Sequence, residues 1–335
     1  MTRKALQSNL GAITADLIWN HPLWPVGPET DMTTITQPDP SAIGGVPTAP
    51  LAFLPKPGAL FATRAKRLSF LAGHSANLGP WLAFLGELVG LQARLASELA
   101  PATPLPPARV DLARESRMPP IDRAPLATDP DLHALLDRVL EGAKPLEMPE
   151  PARLALTAVA AAPLADRHWL LDNVLNDRIP DDSAAPHLFV ALAVQLHLAR
   201  LAATLDARRL VPIRTGICPA CGGRPATSSV IGVGDLDGVR YAACACCQTQ
   251  WNEVRLTCLC CGSTKGISYR SVETIDATVR AEVCSECDTW VKILYQNKNH
   301  SLEPVADDVA SLGLDLMMKD TGLARGGVNP FLMGY

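Results

Sequence analysis

Outside Cys218–Cys287 the chain has no cysteine, although it carries ten within that interval. An oxidising compartment would turn such a set into disulfides, a reducing one into metal thiolates. The opening stretch, MTRKALQSNLGAITADLIWNHPLWP, offers no export signal. Its apolar part is short, Asn9 and Asp16 interrupt it, and no small-residue cleavage site follows. A cytoplasmic location is expected, and with it the metal reading. No run approaches the roughly 18 uncharged apolar residues of a membrane span, so no membrane insertion is expected. Aromatic residues make up only 5%. Neither sign of charge dominates, with 30 Lys and Arg against 34 Asp and Glu and a net charge of −4. That gives no global attraction to nucleic acid or anionic membrane. No histidine lies between Cys218 and Cys287, which removes mixed Cys/His ligation. Nor is there a glycine-rich phosphate loop, a nucleophile elbow or a zinc-protease helix.

What remains is rich in Ala, Leu and Pro. At 335 residues and 48% apolar content the chain can fold two or three compact units. Residues 1–50, rich in Pro, Thr and Gly without a sustained period, read as an extended arm. Residues 51–210 read as an all-α domain of four to six helices. In ALFATRAKRLSFLAG, Leu60, Arg64, Leu68 and Leu71 lie along one side, with Gly73 as a stop. WLAFLGELVGLQARLASEL carries a broad apolar stripe. Seven prolines from Pro101 to Pro125 predict an irregular connection without helix. Helix resumes after Asp129, a candidate cap with Pro130 in the first turn, and ends at Gly142. Two more stretches follow, Arg153–Asp177, with a break expected at Pro163, and Pro186–Arg209. Arg64 and Arg67 read as a solvated helix face.

At Val211 the composition shifts to Gly, Thr, Val and Cys, with alternating strand patterns such as GVRYAAC. Shifted by forty residues, this region matches itself without a gap. Cys218 falls on Cys258, Cys221 on Cys261, Cys244 on Cys284, Cys247 on Cys287, Gly222 on Gly262 and Thr249 on Thr289. Each copy is a CxxCG turn followed by a second CxxC, with twenty-two residues between Cys221 and Cys244 and again between Cys261 and Cys284. In a CxxC turn the sulfurs converge, and a glycine after the second cysteine accepts positive φ. Two such turns supply four thiolates in tetrahedral array for Zn²⁺ or a single iron. The predicted ligands are Cys218, Cys221, Cys244 and Cys247 in one module (211–254), and Cys258, Cys261, Cys284 and Cys287 in a second (255–300). An alternative pairing joins Cys244 and Cys247 to Cys258 and Cys261. Cys246 and Cys260 fall outside the repeat and read as incidental. The metal also answers a size problem, since about forty residues bury too little to fold alone. Trp251 and Trp290 are expected to cover the sites or fill the module cores.

Closed tetrathiolate sites favour a scaffold role over redox catalysis, and the CxxC pairs lack the βαβ context of a thioredoxin. From Val211 to His300 nine basic residues meet eight acidic ones, and each loaded site adds −2, so nucleic-acid binding is not expected.

Three regions make the chain similar to the FdhE family of formate dehydrogenase accessory proteins. They are LPKPGALFATRAKRLSFLAG with Leu60, Phe61, Arg64, Arg67 and Leu68, continued by the helix through Gln92; the twin module with CPACG, Trp251, Arg255 and CLCCG; and the tail EPVADDVASLGLDL with Asp307, Asp308, Leu314 and Asp315, then Asn329-Pro330-Phe331. The likeness runs from about residue 40 to the end. It implies an α+β fold, a helical domain followed by two rubredoxin-like or zinc-ribbon modules, and a helical tail over 301–335. It further implies a cytoplasmic, non-enzymatic maturation factor that binds the catalytic subunit of respiratory formate dehydrogenase, with two metal ions, iron suggested and zinc also accepted. On that reading the helical domain and the acidic tail would grip the client. Homo-oligomer formation is left open. The alternatives are a zinc-ribbon nucleic-acid adaptor, with salt-sensitive nucleic acid copurifying, and a double-rubredoxin electron carrier, with a reversible absorbance change on reduction.

Overall fold

Proline marks where the helices begin. In the computed structural model, which describes residues 49–232, 236–272 and 277–333, a proline occupies one of the first two positions of α1 (Pro57–Ala72), α2 (Gly79–Glu98), α3 (Pro107–Glu115), α4 (Pro130–Ala143) and α5 (Glu150–Ala161). The missing N–H is harmless there, and the fixed φ suits the first turn. Asp129 caps α4 by accepting from the N–H groups of Asp131 and Leu132. Pro163 separates α5 from α6 (Leu164–Leu175), and α7 (Ala184–Ala202) follows. Nearly all of the predicted arm, residues 1–48, lies outside the described residues, as does the start of the chain on which the export reading rests.

The proline-rich connection differs from the expectation. Between Pro107 and Pro119 no further proline occurs. One proline at the helix start therefore leaves room for α3, which buries Val110 and Ala113. With α3 included, the described residues carry seven α-helices between Pro57 and Ala202 rather than four to six.

The middle of this layer is α7, buried on every side from His187 to Ala199. The segment Asp181–Ala202 is long and apolar enough to pass a length-and-composition test for a membrane span, contrary to the expectation that no run comes close. Its 72% burial inside the fold identifies it as a core helix. Two polar side chains on α2 and α7 bond across this core. Gln92 donates to the Leu192 carbonyl at 2.9 Å, and Gln195 to the Ala245 carbonyl at 3.0 Å.

The remaining strands form one sheet, in the order β1-β4-β3-β2-β7-β6-β5 with β8 (Ala324–Arg325) beside β7. The first copy contributes β2 (Pro225–Ile231), β3 (Val239–Cys244) and β4 (Gln250–Glu253), the second β5 (Ile267–Arg270), β6 (Val279–Cys284) and β7 (Thr289–Tyr295). Each copy is an antiparallel meander. They join where β2 runs parallel to β7, with Ser228 opposite Ile293 and Val230 opposite Tyr295. Arg240 stitches the joint. It is fully buried, donates to Glu282 at 2.8 Å, and also reaches the Thr257 carbonyl at 2.9 Å. From before the helices, β1 (Ala52–Phe53) adds itself to β4.

The tail returns to the body. In α8 (Ala306–Ala310), Asp307 and Asp308 are buried rather than free for a client. Arg67 grips Asp307 through two bonds, 2.9 and 2.6 Å, while Asp308 pairs with Lys292 and Arg325. Arg64 is 2% exposed and donates to Glu303 and Gln248. The solvated face expected for Arg64 and Arg67 is instead the seam between α1 and the tail. A buried arginine survives desolvation only when paired, and these are.

Candidate metal centres

Both copies build their first cysteine turn identically. In copy one, Gly222 N–H donates to Cys218 O at 2.9 Å and Cys218 N–H to Gly223 O at 3.0 Å. In copy two, Gly262 N–H donates to Cys258 O at 2.9 Å and Cys258 N–H to Ser263 O at 2.8 Å. Gly222 and Gly262 have φ of 71° and 78°, the left-handed backbone expected of them. The second turns each place a non-glycine residue in that region, Gln248 at 64° and Asp288 at 52°. After each comes the repeated threonine. Thr249 Oγ1 lies 3.2 Å from Cys247 Sγ, and Thr289 Oγ1 3.0 Å from Cys287 Sγ. The repeat singled out these threonines without saying why; a hydroxyl beside a thiolate can donate to it.

The sulfurs gather in two groups of four, Cys218, Cys221, Cys244 and Cys247, and Cys258, Cys261, Cys284 and Cys287, each with all sulfurs within 4.8 Å of one another. The groups follow the repeat, not the alternative pairing across copies. Sγ–Sγ distances are 3.6 Å for Cys218–Cys247, 3.5 Å for Cys221–Cys244, 3.7 Å for Cys258–Cys287 and 3.8 Å for Cys261–Cys284. A tetrahedral ion with metal–sulfur bonds of about 2.3 Å sets its ligands about 3.8 Å apart, so the donor set fits such an ion in size as well as chemistry. Each group could hold one metal ion. In the second, burial pushes the Cys258 thiol up, but the backbone N–H groups of Cys261 and Cys260 help hold it down to about 7. In the first, Cys221 is drawn well below the usual thiol range by the hydrogen-bonding thiols of Cys218, Cys244 and Cys247, with Arg123 adding to it.

The surroundings of the two groups differ. Every sulfur-bearing residue of the first is buried, at 0 to 2% exposure, and belongs to the main core with α2, α4 and α7. Its first turn is clasped by the segment after α3, where Ile121 N–H donates to Ala220 O at 3.1 Å. Its second turn is held by Gln195 and Gln248, both donating to Ala245 O. Arg64 fastens Gln248 in turn, at 2.8 Å. Arg123 reaches Cys246 Sγ at 3.3 Å and Asp177 at 3.5 Å. In the second group Cys261 is exposed and Cys287 half-buried. Its smaller core, with Ala281, Val283 and Trp290, is completed by Leu314 and Met318 of α9 (Leu312–Lys319).

Sequence reading missed these supports. One signal was available. Gln195 interrupts the apolar run LFVALAVQLHL, and a polar residue in a buried helix needs a partner. Cys246 and Cys260 stay outside both groups of four. Cys246 is nevertheless engaged by Arg123 and Asp177, whereas Cys260 is exposed beside Gly326.

Family models described as FdhE N-terminal, central and C-terminal domain match residues 49–215, 217–255 and 256–332 in turn. An FdhE homologue of Rhizobium meliloti is 55% identical over 301 residues, covering 89% of this chain and 98% of that protein. The chain belongs to the FdhE family. A second FdhE homologue, of Haemophilus ducreyi, is 34% identical over 284 residues, 84% of this chain and 92% of that protein. The crystal structure of FdhE from Pseudomonas aeruginosa superposes with a TM-score of 0.76 at 29% identity, covering 85% of this chain and 99% of that one. The FdhE fold is thus the α+β architecture described above, a helical layer followed by a sheet with two four-cysteine groups.

Proposed function

We propose that this chain is a cytoplasmic, non-catalytic maturation factor that binds the catalytic subunit of respiratory formate dehydrogenase and is needed for its activity. Residues 51–210 serve as the helical domain, and 211–254 and 255–300 as the metal modules. Cys218, Cys221, Cys244 and Cys247 hold one ion, and Cys258, Cys261, Cys284 and Cys287 a second, iron being favoured by the family and zinc accepted by the same donors. The observation that carries this reading is the pair of four-sulfur groups at tetrahedral spacing within an FdhE chain. Bound there, the ions cross-link the turns and offer a one-electron couple if the metal is iron. Four protein sulfurs at each position would leave a bound ion no open coordination position for catalysis unless a sulfur is first displaced. Because Asp307 and Asp308 are engaged internally, the client surface is sought away from them.

The test is deletion of the gene, with formate dehydrogenase activity and catalytic-subunit abundance measured together. Activity should fall while the subunit persists. Unchanged activity would refute the maturation role.

A further inference from the structure

The two copies share one ligand pattern, and they differ where each pattern meets the rest of the molecule. Position by position, Gly223 corresponds to Ser263 and Cys246 to Glu286. A Cβ at Gly223 would stand 3.0 Å from Cys244 Sγ, 3.3 Å from Cys221 Sγ and 3.5 Å from Cys246 Sγ, so the first turn is packed to the limit. Ser263 is only half-buried at the matching place, and Glu286 is exposed where Cys246 is buried. Beside the first group stands Arg123, whose fixed charge lies 3.3 Å from Cys246 Sγ, with its second amino group 3.5 Å from the Gly222 carbonyl. Asp177 pairs with the same guanidinium nitrogen at 3.5 Å and itself lies 3.6 Å from Cys246 Sγ. The groups facing this arginine are thus Cys246, Asp177 and, through its field, Cys221 and Cys244. Among the described residues no arginine hydrogen-bonds a sulfur of either group of four; Arg123 acts on the first through its field and through the neighbouring Cys246. The sulfurs of the second group are met by hydroxyl and backbone N–H groups, and at Cys261 by solvent.

We propose that the two centres have separate jobs: the first is a locked, charge-compensated structural centre, and the second is the one at which a bound soft metal ion exchanges with external donors. Arg123 is the positioning residue that sets the difference. This inference rests on the metal reading above and adds which site is open. Four thiolates around a divalent ion carry −2, and beside the first centre the guanidinium of Arg123, shared with Asp177, faces that charge. Exchange replaces one metal–sulfur bond by a bond to the incoming donor, while the released sulfur takes a proton from water. It therefore requires water and the donor to reach a sulfur. Cys261 allows that in the folded protein. The first group admits it only when the core around it opens.

The experiment uses the full chain loaded with Zn²⁺, challenged with excess pyridylazo chelator, and sampled in parallel by N-ethylmaleimide labelling with peptide mass mapping. One equivalent should leave at least about 100-fold faster than the other, the difference expected between direct access and opening of the core. Label on Cys258, Cys261, Cys284 and Cys287 should track the fast phase. Arg123→Met should speed the slow phase about 10- to 100-fold, the size of effect exerted by groups just outside the ligand set of a metal site, and leave the fast phase alone. Arg123→Lys should restore most of the slow rate. A single phase for both equivalents, or early label on Cys218 and Cys221, would overturn the proposal even if the Arg123 variants fail to fold. Fewer than two zinc ions bound by the wild-type chain would remove the metal reading itself.

Discussion

Two copies of one forty-residue pattern end up in different physical circumstances. The first has its four cysteines in the main core, and the turns that carry them are held by residues of α1, α7 and the segment after α3. The second stands on a small core with one face to solvent, completed by the tail helix α9. The ligand set alone therefore does not determine what a metal knot does in a protein. A knot inside a core is held by the core and holds it, whereas a knot at a rim stabilises mainly itself.

Breaking one ligand in each copy tests this contrast most strongly. Cys221→Ser should lose one metal and take the helical layer with it, since structural tetrathiolate sites contribute on the order of 10–16 kcal/mol in small zinc peptides. The expected signs are loss of soluble yield and of helical circular dichroism. Cys261→Ser should lose one metal while the helical signal and its melting transition persist. Equal damage from both would show that the copies are not different in this sense.

Next in size is the seam that ties the first centre to α1 and the tail. Arg64→Met leaves Glu303 buried without its partner and releases Gln248, and should lower unfolding stability by about 3–5 kcal/mol in urea titration. A loss below about 1 kcal/mol would mean that Arg64 is as exposed as its sequence suggested.

Much of the site was legible and little of its setting. A forty-residue shift found all eight sulfurs and their grouping, because a repeat with fixed spacing expresses local geometry that needs no tertiary context. Gly222 and Gly262 were legible for the same reason. The helix at α3 is hidden in a proline-rich segment because proline's effect depends on position, and a proline at the first position begins a helix as readily as one inside ends it. In the sequence Arg64, Arg67, Asp307 and Asp308 look solvated or client-facing because a charged residue shows its partner only when distant segments meet. Arg64 and Glu303 are 239 positions apart.

The smallest effects refine the comparison. Gln195→Leu removes a 3.0 Å bond to Ala245 O, a carbonyl that Gln248 also serves, so a loss of about 1 kcal/mol is expected in the melting transition of the helical layer. Thr249→Val and Thr289→Val each remove one hydroxyl beside a sulfur, about 0.5–1.5 kcal/mol. The first should be the more damaging, since water can replace the hydroxyl only near the half-buried Cys287. Chelator midpoints for the two variants would rank them, and the reverse order would count against the contrast.

The most direct measurement is metal content per chain by elemental analysis of protein purified under reducing conditions, for the wild type and for Cys261→Ser. The account predicts two metal ions per wild-type chain and one in the variant, with the fold retained. A wild-type chain without bound metal, or a variant that keeps two, would contradict it.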